Sequence, residues 1–406
     1  MTNRSLASVG IALVIGAAAG CGSDGDINLP GGAEPGSVPS LLYAMGLDTV
    51  RVTLENEIVA TVDGPLALTR VGDLLPAPDG SLLVGQPEDR TVMLLSRDGD
   101  VVGRVGREGE GPGEFRWISA LGWRGDSLWV SDIRGRRITV FNSQLEVVRT
   151  EPSPRAGVPI PFVPGKLVLL SDGSSLHIPA IHSHLFTEYG ESPPLMPITR
   201  HFTNGTSEIF AELPVGQLLV SIDLGGGARA SLARPFSWGF LLGVSADGRF
   251  VAYVRSIQQS GGTGSVVVRV FDVLSGHFDT LRTDVGLIPL TADLQREAIE
   301  EARGRLGGLG PWSISYSLVE DALNLPSTLP PVSKVMVSSG GSVFLRLSEI
   351  SNTWLILRKG GRQLRLQLPP SEDLRQVSGS RLYTFSKGVY GLPVIREYSI
   401  DFEEGG

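Results

Sequence analysis

The histidines of this chain are gathered in one region, which makes that region the first place to look for metal chemistry. Four of the five histidines lie between residues 177 and 201, and His182 and His184 would point to one side of an extended strand. Because imidazole is a good ligand for zinc, His177, His182 and His184 form the candidate metal site. Only two glutamates follow closely, however, and a polar loop is the commoner setting for such histidines. We therefore favour no metal and predict no cofactor.

A glycine-rich stretch, Gly106 to Phe115, raises the question of phosphate binding, since glycines expose backbone N–H groups to an anion. The stretch carries Glu108, Glu110 and Glu114, which would repel a phosphate, and no Gly-Lys-Ser/Thr element follows. We interpret it as a turn in which the glycines reverse the chain. Its phenylalanine, together with Trp117, is expected to wedge between neighbouring sheets.

Arginines cluster at two corners of the chain that occupy equivalent positions in a repeat. Arg90 lies at the first corner, and Arg134, Arg136 and Arg137 lie at the second. Such a basic rim would suit an acidic peptide or a carboxylated glycan. The alternative is that the arginines pair with neighbouring carboxylates, because the formal net charge of the chain is −8.

A repeat of about 46 residues provides the frame for these groups. The segment Ser81-Leu82-Leu83-Val84 returns as Ser127-Leu128-Trp129-Val130. A period of this length with several short strands per unit is typical of a β-propeller. Six pairs that favour tight hairpin turns argue for six blades: Asp79-Gly80, Gly125-Asp126, Asp172-Gly173, Asp247-Gly248, Gly340-Gly341 and Ser378-Gly379.

The longest gap between these turns, about 93 residues, leaves seven blades as an alternative. Within it, Thr291 is a suitable helix N-cap, and apolar residues then recur at helical spacing before a glycine-rich stop: Leu294, Ala298 and Ala302, flanked by Leu290 and Leu306. We predict a helical insertion at about 286–330 within an all-β, six-bladed propeller. The apolar side of this helix is too narrow to form a core of its own. We therefore expect the inserted segment to cover one mouth of the propeller channel as a lid.

The two ends of the chain bear on how the ring of blades closes. The segment Thr49 to Val62 is rich in β-forming residues and precedes the first complete repeat, whereas the last repeat ends after three clear strands, at Ile395 to Asp401. We predict that the N-terminal segment supplies the outer strand of the last blade and so covers an open sheet edge.

Two stretches resemble a known family. Gly-Pro-Gly-Glu-Phe at 111–115 resembles the linker of NHL-type six-bladed propellers, and Trp129 to Ile138 is similar to the strand signature that follows it there. The whole layout looks like that of bacterial six-bladed propeller lipoproteins. This resemblance implies an architecture and a cellular address, and it implies no activity.

The N-terminus indicates export and lipidation. Leu6 to Ala19 is an apolar run of 14 residues, too short to span a bilayer comfortably, and Ala18-Ala19-Gly20-Cys21 resembles the bacterial lipobox. Cys21 is the only cysteine and the predicted lipid-attachment site; an ordinary cleaved signal peptide is the alternative. We expect a signal peptide at 1–20, a flexible tether at 21–40 and one propeller domain at 41–406.

Two functional classes remain open. The first is a lipid-anchored binding or scaffold module of the cell envelope, expected in the outer membrane and monomeric, that holds a protein, peptide or glycan. The second is a metal-dependent hydrolase or lyase at the channel mouth, by resemblance to the gluconolactonase and peptidylglycine lyase propellers. Loss of residues 1–20 removes Arg4 and changes the formal charge from −8 to −9, which disfavours nucleic acid as a partner.

Overall fold

The computed structural model describes most of the chain after residue 46. The described residues are 47–77, 79–152, 164–179, 195–213, 219–225, 228–237, 241–258, 262–308, 313–348 and 351–402. They form an array of short antiparallel strands with two α-helices, so the predicted all-β class is confirmed. Cys21, His182 and His184 lie outside the described residues.

The strands assemble into six four-stranded sheets and one hairpin, numbered here along the chain. The first strand is β1 (Arg51–Val59). Sheet I comprises β2 (Leu74–Pro76), β3 (Leu82–Gln86), β4 (Thr91–Leu95) and β5 (Val101–Val105). Sheet II comprises β6 (Ile118–Arg124), β7 (Ser127–Asp132), β8 (Arg137–Phe141) and β9 (Val147–Pro152). Sheet III comprises β10 (Pro164–Leu169), β11 (Ser175–Pro179), β12 (Met196–His201) and β13 (Ser207–Leu213).

The second half of the chain continues this pattern. The hairpin pairs β14 (Leu219–Gly225) with β15 (Ala228–Ala233). Sheet IV comprises β16 (Leu241–Val244), β17 (Phe250–Gln258), β18 (Thr263–Asp272) and β19 (His277–Gly286). Helices α1 (Ala292–Gly307) and α2 (Tyr316–Leu323) follow. Sheet V comprises β20 (Lys334–Val337), β21 (Val343–Arg346), β22 (Thr353–Leu357) and β23 (Gln363–Gln367), and sheet VI comprises β24 (Asp373–Ser378), β25 (Arg381–Lys387), β26 (Pro393–Asp401) and β1.

Buried apolar clusters join these sheets in a closed order. One cluster links sheets I and II, another links II, III and IV, and further clusters link IV with V, V with VI, and VI back to I. Each sheet therefore buries its faces against its neighbours, as the blades of a propeller do. The first strands of several neighbouring sheets also contact each other, as β6 does with β10 and β20 with β24, which places them nearest the axis.

The predicted closure by the N-terminal strand is confirmed. Strand β1 pairs antiparallel with β26 from Arg51, opposite Asp401, to Val59, opposite Val394. A polar network reinforces this pairing, because Arg396 on β26 lies 2.6 Å from Glu57 on β1 and 3.0 Å from the buried Glu372. The outer edge of the last sheet is thus covered by the other end of the chain.

The six predicted turns all connect the first and second strands of a sheet. Each contains a glycine with positive φ, from 58° at Gly379 to 87° at Gly80 and Gly173. This backbone region is nearly closed to other residues and suits tight hairpins. The turn pattern in the sequence therefore located the first hairpin of every four-stranded sheet.

The predicted helix is confirmed at its start. The Thr291 side chain accepts a hydrogen bond from the backbone N–H of Leu294, and α1 begins at Ala292. The predicted glycine-rich stop, Gly304 to Gly308, contains the observed end, because the helix runs to Gly307 and is capped at Gly308. A second helix, α2, follows with Ser315 as its N-cap, so this stretch forms helices and no sheet within the described residues.

The helix does not form a core alone, as its narrow apolar side predicts, but it shares one with a second insertion. Ile299, Ala302 and Leu306 of α1 and two residues of α2 form a buried cluster with the hairpin, whose contributions are Val220, Ile222 and Leu232. We call the described residues of this unit, 219–225, 228–233, 292–308 and 313–323, the cap. It is assembled from two separate insertions that flank sheet IV. The apolar residues of the hairpin pack against the narrow apolar side of α1, so the two insertions together form a core.

Candidate functional site

Of the three histidines of the candidate metal site, His177 lies within the described residues, inside sheet III and near His201. His177 on β11 and His201 at the end of β12 are 92% and 93% buried, and their ring centroids are 6.4 Å apart. His201 Nδ1 lies 2.8 Å from Ser207 Oγ, while neither Nε2 has a hydrogen-bond partner among the described groups. Burial, aided by the nearby His201, lowers the pKa of His177 to about 4. Within the described part of the chain, no three His, Cys, Asp or Glu side chains are close enough to hold a metal together.

The predicted arginine rim divides into residues with different surroundings. Arg137 donates to the backbone carbonyls of Gly109, Glu110 and Glu114, at 3.3 Å for the first and 2.6 Å for the last, and so fastens the glycine-rich linker to β8. In the same linker the buried Phe115 packs in the cluster between sheets I and II, as its predicted wedge role requires.

The other three rim arginines lie in the turns between second and third strands. Arg90 lies 3.5 Å from Glu108 and donates to the carbonyl of Glu88. The guanidinium of Arg134 stacks 4.6 Å from the centroid of the Trp117 ring, and Arg136 is exposed. As a binding surface the rim stays a prediction, with Arg134 and Arg136 as its exposed members.

Topology places the beginnings of all innermost strands at one face of the ring. Strands alternate in direction within each sheet, so strands β2, β6, β10, β16, β20 and β24 all run away from the same face. We call it the upper face. The turns between second and third strands, and the connections from one sheet to the next, lie at this face too. The cap therefore rises from the upper face, since both of its parts are such connections.

Charged side chains stand where innermost strands begin at the upper face, in two groups that together we call the mouth cluster. Lys166 and Asp73 form one group, and Lys334, Arg346, Asp373 and Arg375 form the other. Lys334 Nζ lies 2.7 Å from one oxygen of Asp373, and Arg375 Nε lies 2.6 Å from the other. Lys166 of sheet III reaches Asp73 of sheet I at 3.5 Å, so this ion pair bypasses the intervening sheet II. Sheets I, III, V and VI thus each contribute charged side chains at the upper face.

Burial and the mixture of charges shift the ionisation of this cluster. Burial alone would raise the pKa of Asp373, but Lys334 and Arg375 beside it bring the pKa below its ordinary value. Burial lowers the pKa of Lys334; Asp373 opposes this effect, and Arg375 and Arg346 add to it. The environment therefore keeps Asp373 ionised and weakens the hold of Lys334 on its proton.

A β-bulge aims one member of the cluster. The pairing of β24 with β25 shifts between Leu374 and Gln376, which leaves Arg375 as the extra residue. A bulge turns a side chain out of the regular alternation, and Arg375 here lies beside Asp373 and 5.1 Å from the centre of the Phe385 ring.

The mouth cluster could not be found from the sequence, because its residues follow no strand or repeat pattern. Asp73, Lys334 and Asp373 stand at or directly before the first residues of innermost strands. A usable signal was present in composition: only four of the 35 basic residues are lysines, and Lys166 and Lys334 are two of them.

Comparisons with known proteins give structural likeness alone. No known protein-family model matches the chain, and no curated protein matches it in sequence. Among solved structures, it is similar to a member of the DUF4221 family from Bacteroides vulgatus, with a TM-score of 0.48, 10% identity and coverage of 87% of this chain and 99% of that one. It is also similar to virginiamycin B lyase from Staphylococcus aureus (TM-score 0.37, 9% identity, 86% and 99% covered). A third is the PQQ-bound aldose sugar dehydrogenase from Streptomyces coelicolor (TM-score 0.40, 13% identity, 87% and 99% covered).

Proposed function

We propose that this protein is a monomeric, lipid-anchored binding module of the cell envelope that captures carboxylate-bearing peptides or glycans at the upper face of a six-bladed, NHL-like propeller. The observation that carries the proposal is the composition of the mouth cluster. Its members among the described residues are four cations, Lys166, Lys334, Arg346 and Arg375, and two carboxylates, Asp73 and Asp373. This local excess stands out on a chain whose formal charge is −8.

The excess of positive charge favours an anionic ligand for a simple reason. Cations gathered at one face attract anions, and the walls of a narrow channel strengthen that attraction. Lys334 and Arg375 are only 20% and 10% exposed in their side chains, so salt screens them less than it screens a surface pair. A carboxylate that enters the mouth would come close to these cations.

The proposed blade count and family rest on the fold and the linker together. Each of the six four-stranded sheets begins a new repeat, and the hairpin belongs to the cap core, so we count six blades and assign the seventh sheet to the cap. The linker at 106–115 runs between sheets I and II and buries its phenylalanine there, as an NHL-like linker should.

The proposed anchorage rests on the N-terminal sequence. The apolar run Leu6 to Ala19 and the lipobox-like residues before Cys21 support export and lipidation. No helix among the residues from 47 onwards that the structure describes is long and apolar enough to cross a membrane.

Calorimetric titration with a matched pair of peptides tests the proposed function. Tri-glutamate should bind the full-length protein in detergent, and tri-glutamine should not. Lys166→Gln and Lys334→Gln should each weaken tri-glutamate binding by at least about tenfold, since each removes a charged hydrogen-bond donor. Lys359→Gln, which removes an 85% exposed lysine, should have no effect. Equal binding of the two peptides, or equal loss in all three variants, would refute the mouth as the site.

A further inference from the structure

Exposed apolar side chains concentrate at one corner of the upper face. Of the eleven large apolar side chains that are exposed among the described residues, four belong to this corner: Val59, Val62, Val389 and Tyr390. Val389 and Tyr390, 75% and 95% exposed, form the tip of the β25–β26 hairpin. Val59 ends β1 beside the base of this hairpin, and Val62, 73% exposed, follows it in the chain. We call these four residues the apolar corner.

The hairpin that carries the apolar corner rises beside the mouth cluster. Asp373, the first residue of β24, pairs with Phe385 on β25. Strands β25 and β26 stay paired for two further positions, up to Lys387 opposite Pro393, and a turn at 388–392 then closes the hairpin. Strand rise and strand spacing put the tip of this turn roughly 12 Å from Asp373. One extended ligand can therefore reach both the apolar corner and the mouth cluster.

The shape of the tip favours a sugar ring over an apolar side chain of a peptide. An apolar side chain gains most from a concave pocket that removes it from water on all sides. The tip is convex instead, because most of the surface of Val389 and Tyr390 is exposed. A sugar ring has a flat face of C–H groups that can stack on an aromatic ring while its hydroxyls stay in water. The ring of Tyr390 offers such a platform.

We propose that the ligand of the upper face is an acidic oligosaccharide, in which one sugar ring stacks on Tyr390 and the carboxylate of another sugar enters the mouth cluster. The proposal rests on the carboxylate-binding function proposed for the mouth, and it adds the class of ligand and a second point of contact. Cations and aromatic platform lie on the same face and belong in part to the same sheet, since sheet VI carries both Arg375 and Tyr390. An acidic peptide without sugars would use the cations alone.

Calorimetric titration of the full-length protein in detergent tests this assignment with three probes. Tri-galacturonate has sugar rings and carboxylates, its methyl ester lacks the charges, and tri-glutamate lacks the rings. Tyr390→Asn removes the aromatic ring but keeps a residue that tolerates the left-handed backbone found there, with φ of 62°. This variant should bind tri-galacturonate at least about fivefold more weakly and tri-glutamate as the wild type does. Tyr390→Phe, which keeps the ring, should bind tri-galacturonate within about twofold of the wild type. The methyl ester should bind the wild type more weakly than tri-galacturonate does.

Controls separate this inference from the proposed function. Ile209→Ala, on β13 of sheet III, removes a 63% exposed apolar side chain outside the apolar corner and should change no affinity. If tri-glutamate binds but Tyr390→Asn binds tri-galacturonate as the wild type does, the glycan is wrong and the binding function stands. If Tyr390→Asn weakens the peptide Glu-Leu-Leu and leaves tri-galacturonate unaffected, the corner docks peptides and the proposal is overturned. If neither acidic probe binds, the function proposed for the mouth fails as well. A melting curve of Tyr390→Asn that matches the wild type excludes misfolding as the cause of a loss.

Discussion

Arg137 and Lys334 are both largely buried cations, with side chains 15% and 20% exposed, but they contact different kinds of group. Arg137 donates to three backbone carbonyls of the linker and so joins the linker to sheet II. Lys334 contacts the carboxylate of Asp373, which Arg375 also contacts. We therefore propose a structural role for Arg137 and a binding role for Lys334.

His177 predicts a specific pH dependence of stability. Its pKa is about 4 in the folded protein and 6.5 ordinarily, so the unfolded chain binds more protons between these values. Stability should therefore fall as the pH decreases from 6.5 to 4, by roughly 3 kcal/mol from this residue. Urea unfolding at several pH values measures the effect, and His177→Gln should flatten the dependence in this window.

The wild-type protein is the reference for that measurement. Carboxylates with lowered pKa, such as Asp172 and Asp272, lose their stabilising effect at lower pH in every variant alike. An unchanged slope in His177→Gln would show that burial does not keep this ring neutral.

At the scale of elements, the cap is held by a small core that can be weakened on its own. Ile299 of α1 is 2% exposed and belongs to the buried cluster that α1 forms with α2 and the hairpin. Ile299→Ala should cost about 2–5 kcal/mol of local stability because it leaves a cavity. Hydrogen exchange should then accelerate in α1, α2 and the hairpin, with the sheets unaffected. The neighbouring, exposed Glu300→Ala is the control, and global unfolding of Ile299→Ala would mean that the cap and ring form one cooperative unit.

The closing strand β1 leads to a second prediction at this scale. Deleting residues 47–59 would expose the edge of β26 and remove Ile58, which is 7% exposed, from the cluster between sheets VI and I. The truncated protein should aggregate or melt well below the wild type. Deletion of 22–40, the predicted tether, should change the melting temperature little. Equal melting of both deletions and the wild type would contradict the closure.

Elements differed in how well the sequence predicted them. The hairpin glycines and Thr291 act through local backbone geometry, so the turns and the start of α1 could be found from the sequence. The cap core could not, because it joins a hairpin and helices that are separated in the sequence by the whole of sheet IV. Neither the hairpin nor the helical segment has enough apolar residues in its own sequence to indicate a core.

At the scale of the whole molecule, the ring brings together residues that no local pattern relates. Lys166 and Asp73 are 93 positions apart and meet because innermost strands begin at one face. The repeat predicted that such a face exists, but side-chain direction at a strand start and at the Arg375 bulge depends on the assembled sheets. The fold was therefore largely predictable, while the mouth cluster required the structure.

The ligand site that we propose for the whole molecule is the mouth cluster. Because the chain has few lysines, binding at Lys166 and Lys334 can be measured directly. Protein labelled with carbon-13 at the lysine ε position should give four NMR signals, one for each lysine, assigned by single Lys→Arg variants. Titration with tri-glutamate should shift the signals of Lys166 and Lys334 with one common dissociation constant and leave Lys359 unmoved. If tri-glutamate binds but Lys166 and Lys334 do not shift, or if Lys359 shifts equally, the ligand site lies elsewhere and the account is contradicted.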